Sequence, residues 1–328
     1  MVKFSVVIVA RNLNNYLLKH LPIFKNQTFK DFEIIVILES SEKKDFYKTR
    51  IISSGRVNPA KARNIGVNFA KGEIIAFIDD DAYPEKNWLK EASRIFEDKN
   101  ISAVGGPGLI PKESTFFQKV SSKVYALSSK KIGMRYERFS KVVQIDDWPT
   151  CNFLVRKKDF LEVGGFDSKS WGAEDNQLCY ALVNKGKKII YNPKVIVYHH
   201  PRNNLKNHLK QTFFWGMWRA FLTKNYPKHS FRIIFMIPSF FVLWLFFGGL
   251  ISILYPPILY LYIGTLIVYI LFLIVTGIRS KSLRLFFPVI IVTAITQVAY
   301  GIGFIEGLFL KEPTNKTFNP AKTGNIKL

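Results

Sequence analysis

Hydrophobic positions follow two regimes along the chain. In the first two hundred residues they form short runs, Phe4–Ala10, Phe32–Leu38 and Ile74–Ile78, rich in Val and Ile. Such runs have the length and composition of strands buried on both faces. Between and after them, apolar positions recur with helical spacing over about 13–26, 59–70 and 86–98. Further strands are expected near 101–105, 151–156 and 188–198. The alternation predicts an α/β domain with a largely parallel sheet. Beyond residue 230 the pattern changes. Ile233–Leu254 and Ile258–Ile278 contain no charge, and Leu285–Leu310 carries only Glu306. Each stretch reaches the roughly 20 apolar residues that a membrane-spanning helix needs. The expected organisation is an α/β domain over 1–202, an amphipathic interfacial helix within 203–230, about three transmembrane helices over 231–310, and a tail, 311–328.

Two stretches have an interfacial character. In 203–224, Leu205, Leu209, Phe213, Met217 and Phe221 recur every fourth residue, widened by Phe214, Trp215 and Trp218. Lys206, Lys210, Arg219 and Lys224 supply the charge that suits a membrane boundary. Residues 113–130 repeat the idea with Phe116, Val120, Val124 and Leu127 beside Lys119 and Lys123. Packing on the domain would explain such faces too; for 203–224, just before the first span, the interface is the preferred reading. Phe4–Ala10 is too short for a span and reads as a strand. The turn Tyr255-Pro256-Pro257 is uncharged, whereas Arg279–Arg284 carries three positive charges. The positive-inside tendency then places the front domain in the cytoplasm, in an integral membrane protein. Three crossings would put the tail outside, although it holds four lysines. A re-entrant third segment is the alternative.

Composition narrows the chemistry. The 328 residues include 47 Lys+Arg and 24 Asp+Glu, a net +23. The first 230 residues hold 39 basic and 22 acidic side chains, so this part alone carries +17. That balance points to anionic company: phosphates, nucleic acid or a membrane surface. No recognition module or clustered basic tail accompanies it, so nucleic acid is not an expected partner. Two cysteines, Cys151 and Cys179, exclude a disulfide scaffold. No Gly-x-Gly-x-x-Gly follows the first strand and no Walker motif is present, which argues against an ordinary dinucleotide or P-loop site.

In open parallel sheets ligands bind beyond the carboxyl ends of the strands, so the residues just after each strand are informative. These are Arg11-Asn12, Glu39-Ser40-Ser41 and Asp79-Asp80-Asp81. Three successive carboxylates repel one another unless a cation joins them, and their hard oxygens suit Mg²⁺ or Mn²⁺ holding a diphosphate. A solvated acidic turn ahead of a helix is the plainer explanation, but an acidic cluster in a basic domain favours the metal. Glu174-Asp175 stands at the start of a helix that Gly186 stops. The pair fits capping, or a general base toward an acceptor hydroxyl. His199-His200 follows the last strand. Neighbouring strand residues face opposite ways, so at most one of the two would reach a site there; His199 is the candidate third metal ligand, against the plainer reading of a loop histidine.

The run Pro59-Ala-Lys-Ala-Arg-Asn-Ile-Gly-Val-Asn-Phe-Ala-Lys-Gly-Glu-Ile-Ile-Ala-Phe-Ile-Asp-Asp-Asp81 resembles the core of family 2 glycosyltransferases, with an ARN-x-G, an A-x-G-E and a strand ending in the D-x-D motif. Asn152–Arg156, Gly164–Asp167 and Gly172–Asp175 are similar to the acceptor-side and ED motifs of that family, in the same order. The resemblance covers about residues 3–200. It implies an inverting, metal-dependent enzyme with a GT-A fold, a Rossmann-like nucleotide-sugar domain followed here by a helical transmembrane region. Asp79 and Asp81 would hold Mn²⁺ or Mg²⁺ on the donor diphosphate, with His199 beside them. Arg11, Glu39, Lys61, Arg63, Asp79 and Asp80 would line the site of a UDP- or GDP-sugar. Asp175 would be the catalytic base with Glu174 its neighbour. Asn152, Trp171, Trp215 and Arg219 would lie on the acceptor side. Glu39 stands where many members have an aspartate. The expected acceptor is a hydroxyl of a lipid-linked or membrane-proximal glycan. A polyprenyl-phosphate glycosyl synthase, needing no base, and an inactive membrane scaffold are the alternatives.

Overall fold

The structure is a computed structural model and describes residues 2–128, 130–169 and 171–310. These divide into two compact units, residues 2–112 with 134–200 and residues 113–133 with 201–310.

In the first unit β1 (Phe4–Val9), β2 (Phe32–Leu38), β3 (Thr49–Ser53), β4 (Ile74–Ile78), β6 (Ile101–Gly105), β8 (Val143–Ile145), β9 (Asn152–Arg156) and β10 (Lys188–Tyr191) form one sheet in the order β3-β2-β1-β4-β9-β6-β10-β8. The parallel arrangement expected from the sequence holds for β1 to β4. However, β9 inserts antiparallel between β4 and β6, and β8 closes the edge antiparallel to β10. The sheet is buried on both faces, as its continuous apolar strands require. Phe4, Val6 and Ile8 of β1 pack with α1 (Asn15–His20) and α3 (Trp88–Ile95) on one face. On the other face Val7 packs with α2 (Pro59–Phe69), α6 (Lys157–Glu162) and α7 (Glu174–Asn184). The α2 backbone comes so close to β1 that a Cβ on Gly66 would meet Val7 at 2.6 Å.

One strand expectation is corrected. The run 188–198 is two strands, because Asn192-Pro193 stops β10: proline has no N–H to donate to a ladder, and the Asn192 side chain accepts from Lys194 N at 2.8 Å to make a turn. The chain resumes as β11 (Val197–His199), which sits between β5 (Ala82–Pro84) and β7 (Gly108–Leu109) in a separate small sheet.

The second unit is helical: α4 (Phe116–Ser128), α8 (Leu205–Asn225), α9 (Pro227–Ser230), α10 (Ile237–Leu243), a π-helical turn Trp244–Gly248, α11 (Gly249–Leu254), α12 (Pro256–Arg279) and α13 (Leu283–Phe309). Three stretches, Ile237–Leu254, Pro256–Arg279 and Leu283–Phe309, are long and apolar enough to cross a membrane. The helix expected over 203–224 is α8, yet its buried face differs from the fourfold apolar repeat. The buried stripe is His208, Thr212, Gly216 and Ala220, with Met217 beside it, whereas Leu205 and Trp215 are exposed. Small residues permit close backbone approach: a Cβ on Gly216 would meet Tyr300 O at 2.2 Å, and one on Gly303 would meet Phe213 O at 2.1 Å. The stretch 113–130 folds as α4 within this unit, with Val120 and Val124 packed on Val289 and Val292 of α13.

Candidate active site

Because β1, β2 and β4 are parallel and in register, their carboxyl ends open on one edge of the sheet. Arg11 and Glu39 face each other there, Nε to Oε1 4.0 Å apart, both well exposed. Asp79-Asp80-Asp81 follows β4. The small sheet then brings in a distant residue: β11 pairs with β5 so that His199 lies opposite Ala82. His199 Nε2 is 3.1 Å from Asp81 Oδ1, and ligating atoms of Asp79, Asp81 and His199 all lie within 4.8 Å of one another. His200 turns the other way, against Tyr16 and His20. Two carboxylates and an imidazole this close form a donor set that fits a divalent cation. Without one, Asp79 is uncomfortable: burial raises its pKa, Asp81 adds to the rise, and Arg63 and His199 only partly offset it.

The middle aspartate of the triplet belongs to the scaffold instead. Asp80 is 7% exposed and accepts from the Asn14 side chain, the same residue that caps α1.

α2 explains why arginine and asparagine are adjacent in its motif. Asn58 caps the helix by accepting from Lys61 N at 2.8 Å, with Pro59 at the first position. Arg63 then reaches two carboxylates with separate nitrogens, Asp79 Oδ1 at 3.2 Å and Glu174 Oε1 at 2.7 Å. Burial opposes the guanidinium charge, but Glu174, Asp79 and Asp175 outweigh it and raise the pKa. Asn64 clamps the loop before α7, donating to Phe166 O at 2.8 Å and accepting from Phe166 N at 3.0 Å. Lys61 is exposed on the helix surface.

Glu174 and Asp175 open α7 behind Ala173, a non-glycine residue at φ 56°. Asp175 keeps one side toward solvent, but the surrounding protein raises its pKa to about 7 by desolvation, with the Glu174 charge adding and Arg135 opposing. Its Oδ1 accepts from Asn176 N at 2.8 Å. Behind it runs a chain of partners with no motif in the sequence. Asn176 donates to Asp147 Oδ2 at 3.1 Å, and Asp147, 2% exposed, accepts from Arg135 of α5 (Lys130–Tyr136) at 2.9 Å. Cys151 is also nearby, its thiol pKa pushed up by burial and by Asp79 and Asp81.

Of the four residues expected on the acceptor side, Asn152 lies inside the fold. It is fully buried; its carbonyl oxygen accepts from Trp88 Nε1 at 2.8 Å and its amide donates to Val195 O and Pro107 O. It ties the two sheets together. Trp171 is half-buried in the loop before α7. Trp215 and Arg219 belong to the second unit, where Arg219 donates to Ser230 Oγ at 3.2 Å and lies over Phe235.

The profile of glycosyl transferase family 2 matches residues 5–164, from β1 through the aspartate triplet to Gly164 before α7. Residues 5–164, just under half of the chain, form a family 2 glycosyltransferase domain. A pre-mycofactocin glycosyltransferase of Mycobacterium tuberculosis (strain CDC 1551 / Oshkosh) is 28% identical over 173 residues; the match covers 52% of this chain but only 36% of that relative. A protein of Methanococcus voltae, a dolichyl N-acetyl-alpha-D-glucosaminyl phosphate 3-beta-D-2,3-diacetamido-2,3-dideoxy-beta-D-glucuronosyltransferase, is 23% identical across 95% of this chain and 99% of its own length. Among solved structures, Staphylococcus aureus TarS residues 1–349 with UDP-GlcNAc superposes with a TM-score of 0.48 at 15% identity, covering 66% of each chain. The matched residues fold as the expected α/β domain, and helices apolar enough to cross a membrane follow it.

Proposed function

We propose that the protein is a metal-dependent, inverting glycosyltransferase that moves a sugar from a nucleotide-sugar donor to a hydroxyl of a lipid-linked or membrane-proximal glycan, with its GT-A domain in the cytoplasm. The observation that carries the reading is the continuous set Asp81–His199, Asp79–Arg63–Glu174 and Asp175 at one edge of the sheet. It sets three groups that could hold a cation close to a carboxylate of raised pKa.

A divalent ion, Mn²⁺ or Mg²⁺, held by Asp79, Asp81 and His199 would neutralise the departing diphosphate, where the largest charge develops. The protein's own residues do the rest. Arg63 fixes the distance between the cation ligands and the helix that carries the base. Arg11 and Glu39, at the ends of β1 and β2, are placed for the nucleoside. Asp175 takes the proton of the acceptor hydroxyl as its oxygen bonds to the anomeric carbon from the face opposite the leaving diphosphate; a pKa near 7 suits that task. The full-length similarity to the Methanococcus voltae protein, named for a dolichyl-phosphate-linked sugar, supports a lipid-linked acceptor.

The test is transfer of labelled sugar from UDP- and GDP-sugars into a lipid extract, with Mn²⁺ or with EDTA. Metal-dependent label in lipid-linked glycan is expected, with Asp175→Asn slower by about 10²–10⁴-fold. Label on polyprenyl phosphate that survives Asp175→Asn would replace this reading with a polyprenyl-phosphate glycosyl synthase. No transfer from any donor would leave a scaffold.

A further inference from the structure

We propose that the chain crosses the membrane twice: Ile237–Leu254 and Pro256–Arg279 form the spanning hairpin, and α13, although apolar and long enough to cross, lies along the membrane surface on the side where the hairpin begins and ends.

The argument starts from α4 and α8. Among the described residues, the stretches long and apolar enough to cross all begin after residue 236. Everything from residue 2 to 236 therefore stays on one side, α4 and α8 included. Neither helix can enter the hydrocarbon cheaply: α4 carries Lys119 and Lys123, and α8 carries Lys206, Lys210, Arg219 and Lys224.

α13 is packed on these two helices along its whole length. At its start Arg284 lies over the Phe116 ring of α4, 4.9 Å from the centroid. Val289 and Val292 follow against Val120 and Val124. Thr296 Oγ1 then meets His208 Nε2 of α8 at 2.8 Å, while His208 Nδ1 meets Ser121 of α4 at 2.8 Å. Gly303 and Gly307 nest against the backbone at Phe213 and Met217. At the far end Lys224 Nζ donates to Leu308 O at 3.0 Å and to Leu310 O. As residue numbers rise in α8 they rise in α13, so the two run side by side in one direction. For α13 to span, α8 would have to pass through the bilayer with it and carry Arg219 and Lys224 to the far leaflet.

The hairpin has the opposite character. Phe241 meets Tyr269, Trp244 Nε1 donates to Thr265 at 2.8 Å, and Tyr262 OH donates to Leu245 O at 3.1 Å, so its arms are antiparallel. Around them Ile253, Leu254, Tyr260 and Val268 stand open, as lipid-facing side chains do. Large exposed apolar residues on α13 keep to one side: Leu283, Phe287, Ile291, Ile302, Leu308 and Phe309 fall within about 120° of one another at 100° per residue. A single apolar stripe is what a helix lying in the interface presents. Two crossings also place the basic loop Arg279–Arg284 and, by sequence, the four lysines after residue 310 on one side, as the positive-inside tendency favours.

The test is site-directed labelling of the full chain in sealed membrane vesicles of both orientations, with a membrane-impermeant maleimide. Lys43→Cys reports the front unit, Tyr255→Cys the hairpin tip, Leu283→Cys the second loop and Lys311→Cys the sequence that follows α13. Unmodified protein, with Cys179 buried and Cys151 half-buried, is the blank. Lys43, Leu283 and Lys311 positions are expected to label from one side, with complete loss of signal in the opposite vesicles, and Tyr255 from the other. Labelling of the Lys311 position together with Tyr255, or from neither side, would overturn the two-span arrangement.

Discussion

Asp175 illustrates how far a single side chain can be read. Its identity as a carboxylate at a helix start was legible, but its chemistry depends on surroundings that carry no motif. Desolvation and Glu174 raise its pKa to about 7, against the pull of Arg135. A base that must be ionised works only above its pKa, so log(kcat/KM) is expected to rise with unit slope up to about pH 7 and then level. The stability effect has the opposite sign. A carboxyl whose folded pKa exceeds its unfolded value binds more protons when folded, so its contribution falls as pH rises through the window from about 4 to 7. Asp175→Asn should therefore unfold at higher temperature than the parent at pH 8 and at the same temperature below pH 4. Thermal melts across that range check it; an equal difference at every pH would show that the gain has nothing to do with this charge.

At the scale of elements, legibility followed burial. β1, β2 and β4 stood out because both of their faces are buried and every position is apolar. β3, β5, β7 and β8 gave no run, being short or half exposed. The antiparallel insertion of β9 was invisible, since strand direction is set by the route of the preceding connection and not by the strand's residues. For α8 the apolar repeat is the face expected at a membrane boundary, and the face packed inside the unit carried no apolar signal: close helix contact selects Gly, Ala and Thr. That selection is testable. Gly303→Ala places a methyl 2.1 Å from the Phe213 carbonyl oxygen, whereas Gly264→Ala points into open space. Gly303→Ala is expected to destabilise the helical unit by roughly 1–3 kcal/mol, and Gly264→Ala to be neutral or stabilising by up to about 1 kcal/mol. Melting of the purified protein in detergent distinguishes them, and equal behaviour of the two would contradict the close crossing of α8 and α13.

At the scale of the whole molecule, a chain of net +23 gathers two aspartates into one corner of its front unit and leaves Asp79 with a raised pKa. The cluster was readable from three consecutive Asp codons' worth of sequence, but its third member was fixed only when the break at Asn192-Pro193 sent β11 into a second sheet and set His199 beside Asp81. Residues far apart in the first unit, 79–81 and 199, thus converge on one point, and a cation bound there would tie them together only in the folded state. Binding to the folded state alone stabilises by about 2.7 kcal/mol when the ion is at 100 times its Kd. Because the ligands belong to one of two separately packed units, the gain should be local. Hydrogen exchange of the full chain is expected to slow with Mn²⁺ in peptides from 2–112 and 134–200, those spanning β4, β5 and β11 most, and to stay unchanged in 201–310. Asp81→Asn should abolish the slowing. If the protection were spread evenly over both units, or persisted in Asp81→Asn, the ion would be acting on the charge of the chain at large and not at this carboxylate pair.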